Sequence, residues 1–158
     1  MHSRRYEAAL PAGVRVIDLG SGGGLPGLVI AVDRPDLRLT LLDARQKRTD
    51  QLRRLVGRLG LASRVEVVCD RVERFGARVT EPYDVLVARK FGPPTEVVAA
   101  ARLLVRPAGL IVVSDAPDDR WELTVVAERL HRLPAPDGLV VARLPEGPDP
   151  SRAPDLPA

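Results

Sequence analysis

The amino-acid sequence predicts an α/β fold, a doubly wound and mostly parallel sheet finished by an antiparallel C-terminal hairpin. Three observations carry that prediction. Five short apolar runs recur along the chain with helical or loop material between them. Each run is nearly continuous rather than alternating, which is how strands covered on both faces read. A glycine-rich stretch, DLGSGGGLPG (Asp18–Gly27), follows the first run directly, where a strand would turn into a helix.

The five runs are VRVIDL (Val14–Leu19), LRLTLLD (Leu37–Asp43), RVEVVC (Arg64–Cys69), YDVLVA (Tyr83–Ala88) and GLIVVSD (Gly109–Asp115). Pro26 suits a first helical turn, where its missing N–H is harmless, ahead of Leu28 to Val32. Leu52, Leu55, Val56 and Leu59 repeat at helical spacing, and Gly60 is placed to end that helix. After Pro93 and Pro94 a helix from about Thr95 to Val105 is closed by Pro107 and Gly109. Alternation of strand and helix then gives a parallel sheet. Residues 118–123 read as a helical turn, or as a helix running to His131. LTVVAERLHRL followed by PAPDG and LVVARLP reads alternatively as an antiparallel hairpin, and the hairpin is preferred. The Pro-rich, polar residues 146–158 read as a disordered tail, leaving 1–145 as one domain.

At 158 residues the chain can bury a sizeable core. Aromatic residues are only 3% of it, so that core must be Val, Leu, Ile and Ala. No apolar run approaches the ~18 residues of a membrane span, and the first ten residues lack a signal-type stretch. A cytoplasmic protein without a membrane partner is the expectation. The single cysteine, Cys69, excludes an internal disulfide and a cysteine zinc cluster, and reads as a core residue. No metal site is expected. The net charge of +3 and pI near 9.6 point only weakly to a polyanionic partner.

The glycine stretch sits where ligands bind in such sheets, at the carboxyl end of a strand. Gly22, Gly24 and Gly27 spell G-x-G-x-x-G, and Gly20, Gly22 and Gly24 spell G-x-G-x-G with Asp18 two residues ahead. Counting from Gly20, where the turn begins, the dinucleotide pattern fails at Leu25. A pyrophosphate would also be badly served beside a carboxylate. An ammonium would be well served by Asp18, and Asp43, closing the second run, can accept both ribose hydroxyls. S-adenosylmethionine has the ammonium, the ribose and a carboxylate for loop amides. A tight turn with two solvated acids is the alternative. Asp70 to Glu73 follow the third run, where an adenine is held. Arg89, Lys90 and Phe91 follow the fourth, beside the reacting centre. Arg48 lies one turn before Leu52 and points toward the sheet top, whereas Lys47, Arg54 and Arg58 face outward, as an RNA-tracking surface or an ordinary solvated face.

DLGSGGGLPG, LLDARQKR (Leu41–Arg48), RVERF (Arg71–Phe75), YDVLVARKF (Tyr83–Phe91) and LHRLPAPDGLVVARL (Leu130–Leu144) together resemble the bacterial 16S rRNA guanine-N7 methyltransferase family, also called the glucose-inhibited division protein B family. The resemblance implies a class I S-adenosylmethionine-dependent methyltransferase fold, with cofactor contacts at Gly20, Leu25, Val72, Glu73 and Arg89. Its basic active-site residues fall on Lys47, Arg48 and Arg89. It implies ribosomal RNA or the small ribosomal subunit as partner, no DNA, and a monomer. Three departures stand out. Val14 opens the first strand almost at once, where the family has some tens of residues of N-terminal helices. The family's R-A-F reads Arg89-Lys90-Phe91. Its lysine after the fifth strand is replaced by Asp115. A small-molecule methyltransferase, or a non-catalytic cofactor- or RNA-binding relative, are the competing readings; a nicotinamide dehydrogenase is a distant one, disfavoured by Asp18.

Methylation of guanine N7 needs no general base, because N7 carries an in-plane lone pair and no proton. Alignment and electrostatics suffice. An Arg bonded to both O6 and N7 would block the reacting atom, so Arg89 or Lys90 is expected to hold O6 or a phosphate only.

Overall fold

Continuous β-branched and leucine runs need cover on both faces, and the chain supplies it by sending helices to alternate sides of one sheet. The structure is a computed structural model and describes residues 3–114 and 118–147. Its elements run α1 (Ser3–Ala9), β1 (Arg15–Leu19), α2 (Gly27–Asp33), β2 (Arg38–Asp43), α3 (Gln46–Arg58), β3 (Val65–Cys69), α4 (Val72–Gly76), β4 (Tyr83–Arg89), α5 (Pro94–Leu104), β5 (Val105–Ser114), α6 (Asp118–Ala127), β6 (His131–Leu133) and β7 (Leu139–Arg143).

The seven strands lie in the order β3-β2-β1-β4-β5-β7-β6. The first five are parallel, β7 is antiparallel to β5, and β6 is antiparallel to β7. This is the predicted doubly wound sheet. Two apolar layers flank it. Tyr6, Leu28, Ile30, Leu52 and Val56 from α1 to α3 cover Val16, Leu39, Leu41, Val85, Val87 and Val112. Val97, Ala101 and Leu104 of α5, with Trp121 and Val125 of α6, cover Ile17, Leu19, Leu86, Ala88, Ile111 and Val113. Burying a side chain such as Leu52, fully enclosed here, is worth roughly 1.5–3 kcal/mol. The helix after β1 lies on one face and that after β4 on the other, so the crevice between these neighbouring strands is the topological switch point.

Several expectations are corrected. The LTVVA run, rich in β-branched residues, is helical: Trp121 and Val125 on one side of α6 enter the core while Leu123 and Val126 face solvent. The preferred hairpin survives only as its tip and second strand, His131–Leu133 against Leu139–Arg143. Pro107 and Gly109 do not close α5; the chain re-enters the sheet at Val105, with a register shift opposite Tyr83 and Val85. Leu59 is not on the buried stripe but just beyond α3, half exposed. β3 is an edge strand, so Cys69 is only partly buried; Arg53 Nη2 donates to the Val67 carbonyl of that strand at 3.3 Å. The Asp115 substitution and residues 148–158 of the expected tail lie outside the described residues.

Candidate active site

Parallel strands in register bring the ends of the apolar runs to one rim, and register decides which side chains reach it. Leu19 of β1 stands opposite Leu42 and Ala88, so Asp43 and Arg89 each lie one residue further up. Asp18 pairs with Leu41 and Val87 instead, two residues below those two. At about 3.3 Å per residue that is a step of roughly 7 Å. Asp18 is accordingly fully buried. Its Oδ2 accepts the Gly27 N–H at 3.0 Å, while Oδ1 has no partner among the described residues. Burial pushes this carboxyl up to about 7. Asp18 therefore lies below the rim, and its carboxyl holds the start of α2 from beneath.

Asp43 takes the position above. Its Oδ2 accepts the Gly22 N–H at 3.0 Å and its Oδ1 the Arg45 N–H at 2.9 Å. Each oxygen keeps a further lone pair for a hydroxyl donor. Arg48 stands beside it, half exposed, with Nη1 3.8 Å from Asp43 Oδ2. Arg48 thus does point to the sheet top, and its place there is against the glycine loop.

The loop itself is fixed by Gly20 and Ser21, whose N–H groups both donate to the Leu42 carbonyl at 2.8 and 3.1 Å. Gly20 and Gly22 take left-handed φ of +64° and +50°, and Gly24 +96°. A Cβ at Gly20 would stand 3.0 Å from Phe91 Cδ2, and one at Gly22 would stand 3.2 Å from Arg48 Nη1. Around Gly23 nothing lies within 4 Å of where a Cβ would be. The backbone is therefore bare there and open to a ligand. Leu25 is half exposed beside it. At the top of β3, Val72 is partly buried against the core and Glu73 is exposed in the first turn of α4.

On the other side of the switch point, Arg89 ends β4, half-buried and opposite Ser114. Lys90 is exposed with a left-handed φ of +51°, an arrangement that lysine adopts at a cost and that clusters at functional turns. Phe91 closes the group against Gly20. Sequence reasoning passed over Ser114, whose buried Oγ has no partner among the described residues; a hydroxyl at the end of the fifth run was its only signal. It also passed over α1, legible in Tyr6, Ala9 and Leu10 at helical spacing. His131 lies exposed on β6, outside this group. No cluster of three metal-ligating side chains occurs among the described residues.

A model of the family described as "rRNA small subunit methyltransferase G" matches residues 6–137. The chain belongs to that family. A family member from Laribacter hongkongensis is 46% identical over 104 residues, 65% of this chain and 49% of that protein. Another, from Sorangium cellulosum, is 35% identical over 154 residues, 92% of this chain and 64% of that protein. The chain thus spans about half to two-thirds the length of these methyltransferase G relatives. Among solved structures, an S-adenosylmethionine-dependent methyltransferase from Thiobacillus denitrificans, in complex with S-adenosylhomocysteine, aligns with TM-score 0.56 and 28% identity over 68% of this chain and 44% of that one. One from Geobacter sulfurreducens, at 22% identity, shares the fold with TM-score 0.59 over 85% of this chain and 49% of that one. The resemblance read from the five motifs is confirmed, and with it the fold class.

Proposed function

We propose that this chain is an S-adenosylmethionine-dependent methyltransferase acting on guanine N7 in 16S ribosomal RNA. The observation that carries this reading is the bond from Gly22 N–H to Asp43 Oδ2, which sets a bare glycine loop beside an acceptor for ribose hydroxyls. The open backbone at Gly23 and the spare lone pairs of Asp43 fit such a cofactor. Gly20, Gly22, Gly24, Leu25, Asp43, Val72 and Glu73 would hold it along the tops of β1 to β3. Asp18 serves from below by holding the loop's exit into α2. When bound, the cofactor supplies a methyl group on a sulfonium, which passes to N7 with the bonding pair left on sulfur.

The protein's own residues then have two tasks. The loop and Asp43 fix the donor, and Arg89, Lys90 and Arg48 fix the guanine by O6 or a flanking phosphate. N7 has no proton to lose, so the absence of histidine from this group is no obstacle. Because the ring gains positive charge, these cations would act on O6 or a phosphate and stay off N7 itself, which limits their repulsion. Residues 1–145 form the methyltransferase domain in this reading, acting in the cytoplasm as a monomer on the small ribosomal subunit or its RNA.

Calorimetric titration with S-adenosylhomocysteine, beside NADH, tests the cofactor. Micromolar binding of the former alone is expected, followed by transfer of a labelled methyl group to 16S rRNA lacking that modification. Binding of neither compound overturns the reading, and binding without transfer to RNA overturns the substrate.

A further inference from the structure

The charge on α3 is only partly arranged for the stability of the helix: Arg58 in the last turn suits the dipole, and the cations of the first turn do not. Lys47 and Arg48 occupy its first turn, which contains no acidic residue and where the positive end of the helix dipole opposes them; Asp43 offsets Arg48 but not Lys47. Arg54 and Arg58 follow four residues apart, a repulsive spacing on a helix. Five cations stand in this one helix against a single acid, Asp50, and that acid is taken by Arg53 at 3.1 Å and by Gln46 at 2.7 Å.

Lys47, Arg54 and Arg58 are separated by seven and four residues, so they share one stripe. Leu52 and Val56 point the other way into the core. All three are exposed, and none has an ion-pair partner among the described residues. Other arginines at the surface do sit on carboxylates, as Arg78 does on Asp70 and Arg106 on Asp84. The stripe covers eleven helical steps, about 16 Å at 1.5 Å each. It begins at Lys47, four residues beyond Asp43, and leads away from the rim where the candidate site lies. Gln51 lies between Lys47 and Arg54, so this face offers charge and polarity rather than the apolar side chains that a bilayer would take up.

We propose that the outer face of α3 is a track for the phosphate backbone of the RNA substrate, with Lys47, Arg54 and Arg58 each meeting a phosphate as the strand enters the site. This rests on the proposed RNA substrate and adds where that substrate lies. Like charges held along one exposed stripe are relieved when an anion arrives, which gives their unpaired state a use.

The test compares the whole chain with a Lys47→Gln/Arg54→Gln/Arg58→Gln variant. A control variant, Arg120→Gln/Arg129→Gln/Arg143→Gln, loses the same charge around α6 and β7, away from α3. Binding of a fluorescent single-stranded 16S rRNA oligomer is followed by anisotropy as salt is raised, and S-adenosylhomocysteine binding by calorimetry. Three lost phosphate contacts should lower the slope of log affinity against log salt by about 2. The α3 variant should also bind RNA at least ~10-fold more weakly at low salt, with nucleoside binding and the control unchanged. A wild-type slope in the α3 variant, or an equal loss in the control, overturns the track while leaving the RNA substrate standing. Failure of the wild-type chain to bind RNA overturns both, and binding of anionic vesicles as tightly as RNA would make the face a membrane surface instead.

Discussion

Asp43 Oδ2 accepts the Gly22 N–H at 3.0 Å, so the end of β2 is fastened to the middle of the glycine loop. With Asp43 Oδ1 on the Arg45 N–H, one carboxylate orders both the loop and the entry to α3.

Replacing Asp43 by Ala should therefore cost twice. Hydrogen bonds to a charged group are worth about 1.5–3 kcal/mol each, and partial access of water to the rim softens their loss. A drop in unfolding free energy of about 2–3 kcal/mol is expected in urea. S-adenosylhomocysteine affinity should fall at least ~30-fold, because the ribose acceptor goes as well. Unchanged nucleoside affinity would remove Asp43 from the site.

Gly20→Ala places a side chain on left-handed backbone and 3.0 Å from the Phe91 ring. The backbone cost alone is roughly 1–2 kcal/mol. Phe91→Ala made in the Gly20→Ala background should recover the steric part and leave the backbone part. The two single changes should thus fail to add in a double-mutant cycle of denaturation free energies; simple additivity would show that ring and loop do not press on one another.

Asp18 gives the protein a pH dependence of definite sign. Burial raises its carboxyl from 3.8 to about 7. Between those values the folded chain holds a proton that the unfolded chain has released. This contribution to stability is therefore full below about 4 and declines as pH rises toward 7. Asp18→Asn keeps an acceptor for the Gly27 N–H and removes the titration. Its stability relative to wild type should rise over that window, measured by denaturant unfolding at a series of pH values, and level off above it. A parallel pH profile for the two proteins would contradict this account.

Lys90 holds a left-handed φ of +51° at the exposed turn after β4. Lys90→Gly relieves that backbone at some entropic cost to folding, so stability should hold or rise by up to about 1 kcal/mol. Methyl transfer to RNA should fall while S-adenosylhomocysteine binding stays. Full activity in this variant would leave the substrate contact to Arg89 and Arg48.

The parts of this architecture legible in the sequence are those written in local pattern. Five apolar runs became the five parallel strands, and the glycine stretch became a loop because its residues need φ angles that others avoid. Asp43 and the Arg89–Phe91 turn were placed at the rim because they close or follow a run, and Arg48 because it lies one helical turn before Leu52. The depth of Asp18 was not legible because it depends on register, a relation between strands that one sequence does not write down. The LTVVA segment was misjudged because its β-branched residues favour a strand in isolation, and only the burial of Trp121 against the sheet makes it a helix. The short α4, whose Val72 and Phe75 are only partly buried, has too few turns to show a period.

The sheet's two open sides carry a consequence for solubility. A parallel sheet whose outermost strand is bare invites a second chain to pair with it and begin a fibre or an aggregate. On one side, Arg53 already occupies the Val67 carbonyl, so an incoming strand must first displace a guanidinium. On the other, only the three residues of β6 are on offer, two of them His131 and Arg132. The chain thus guards one border with a charge and keeps the other too short to copy.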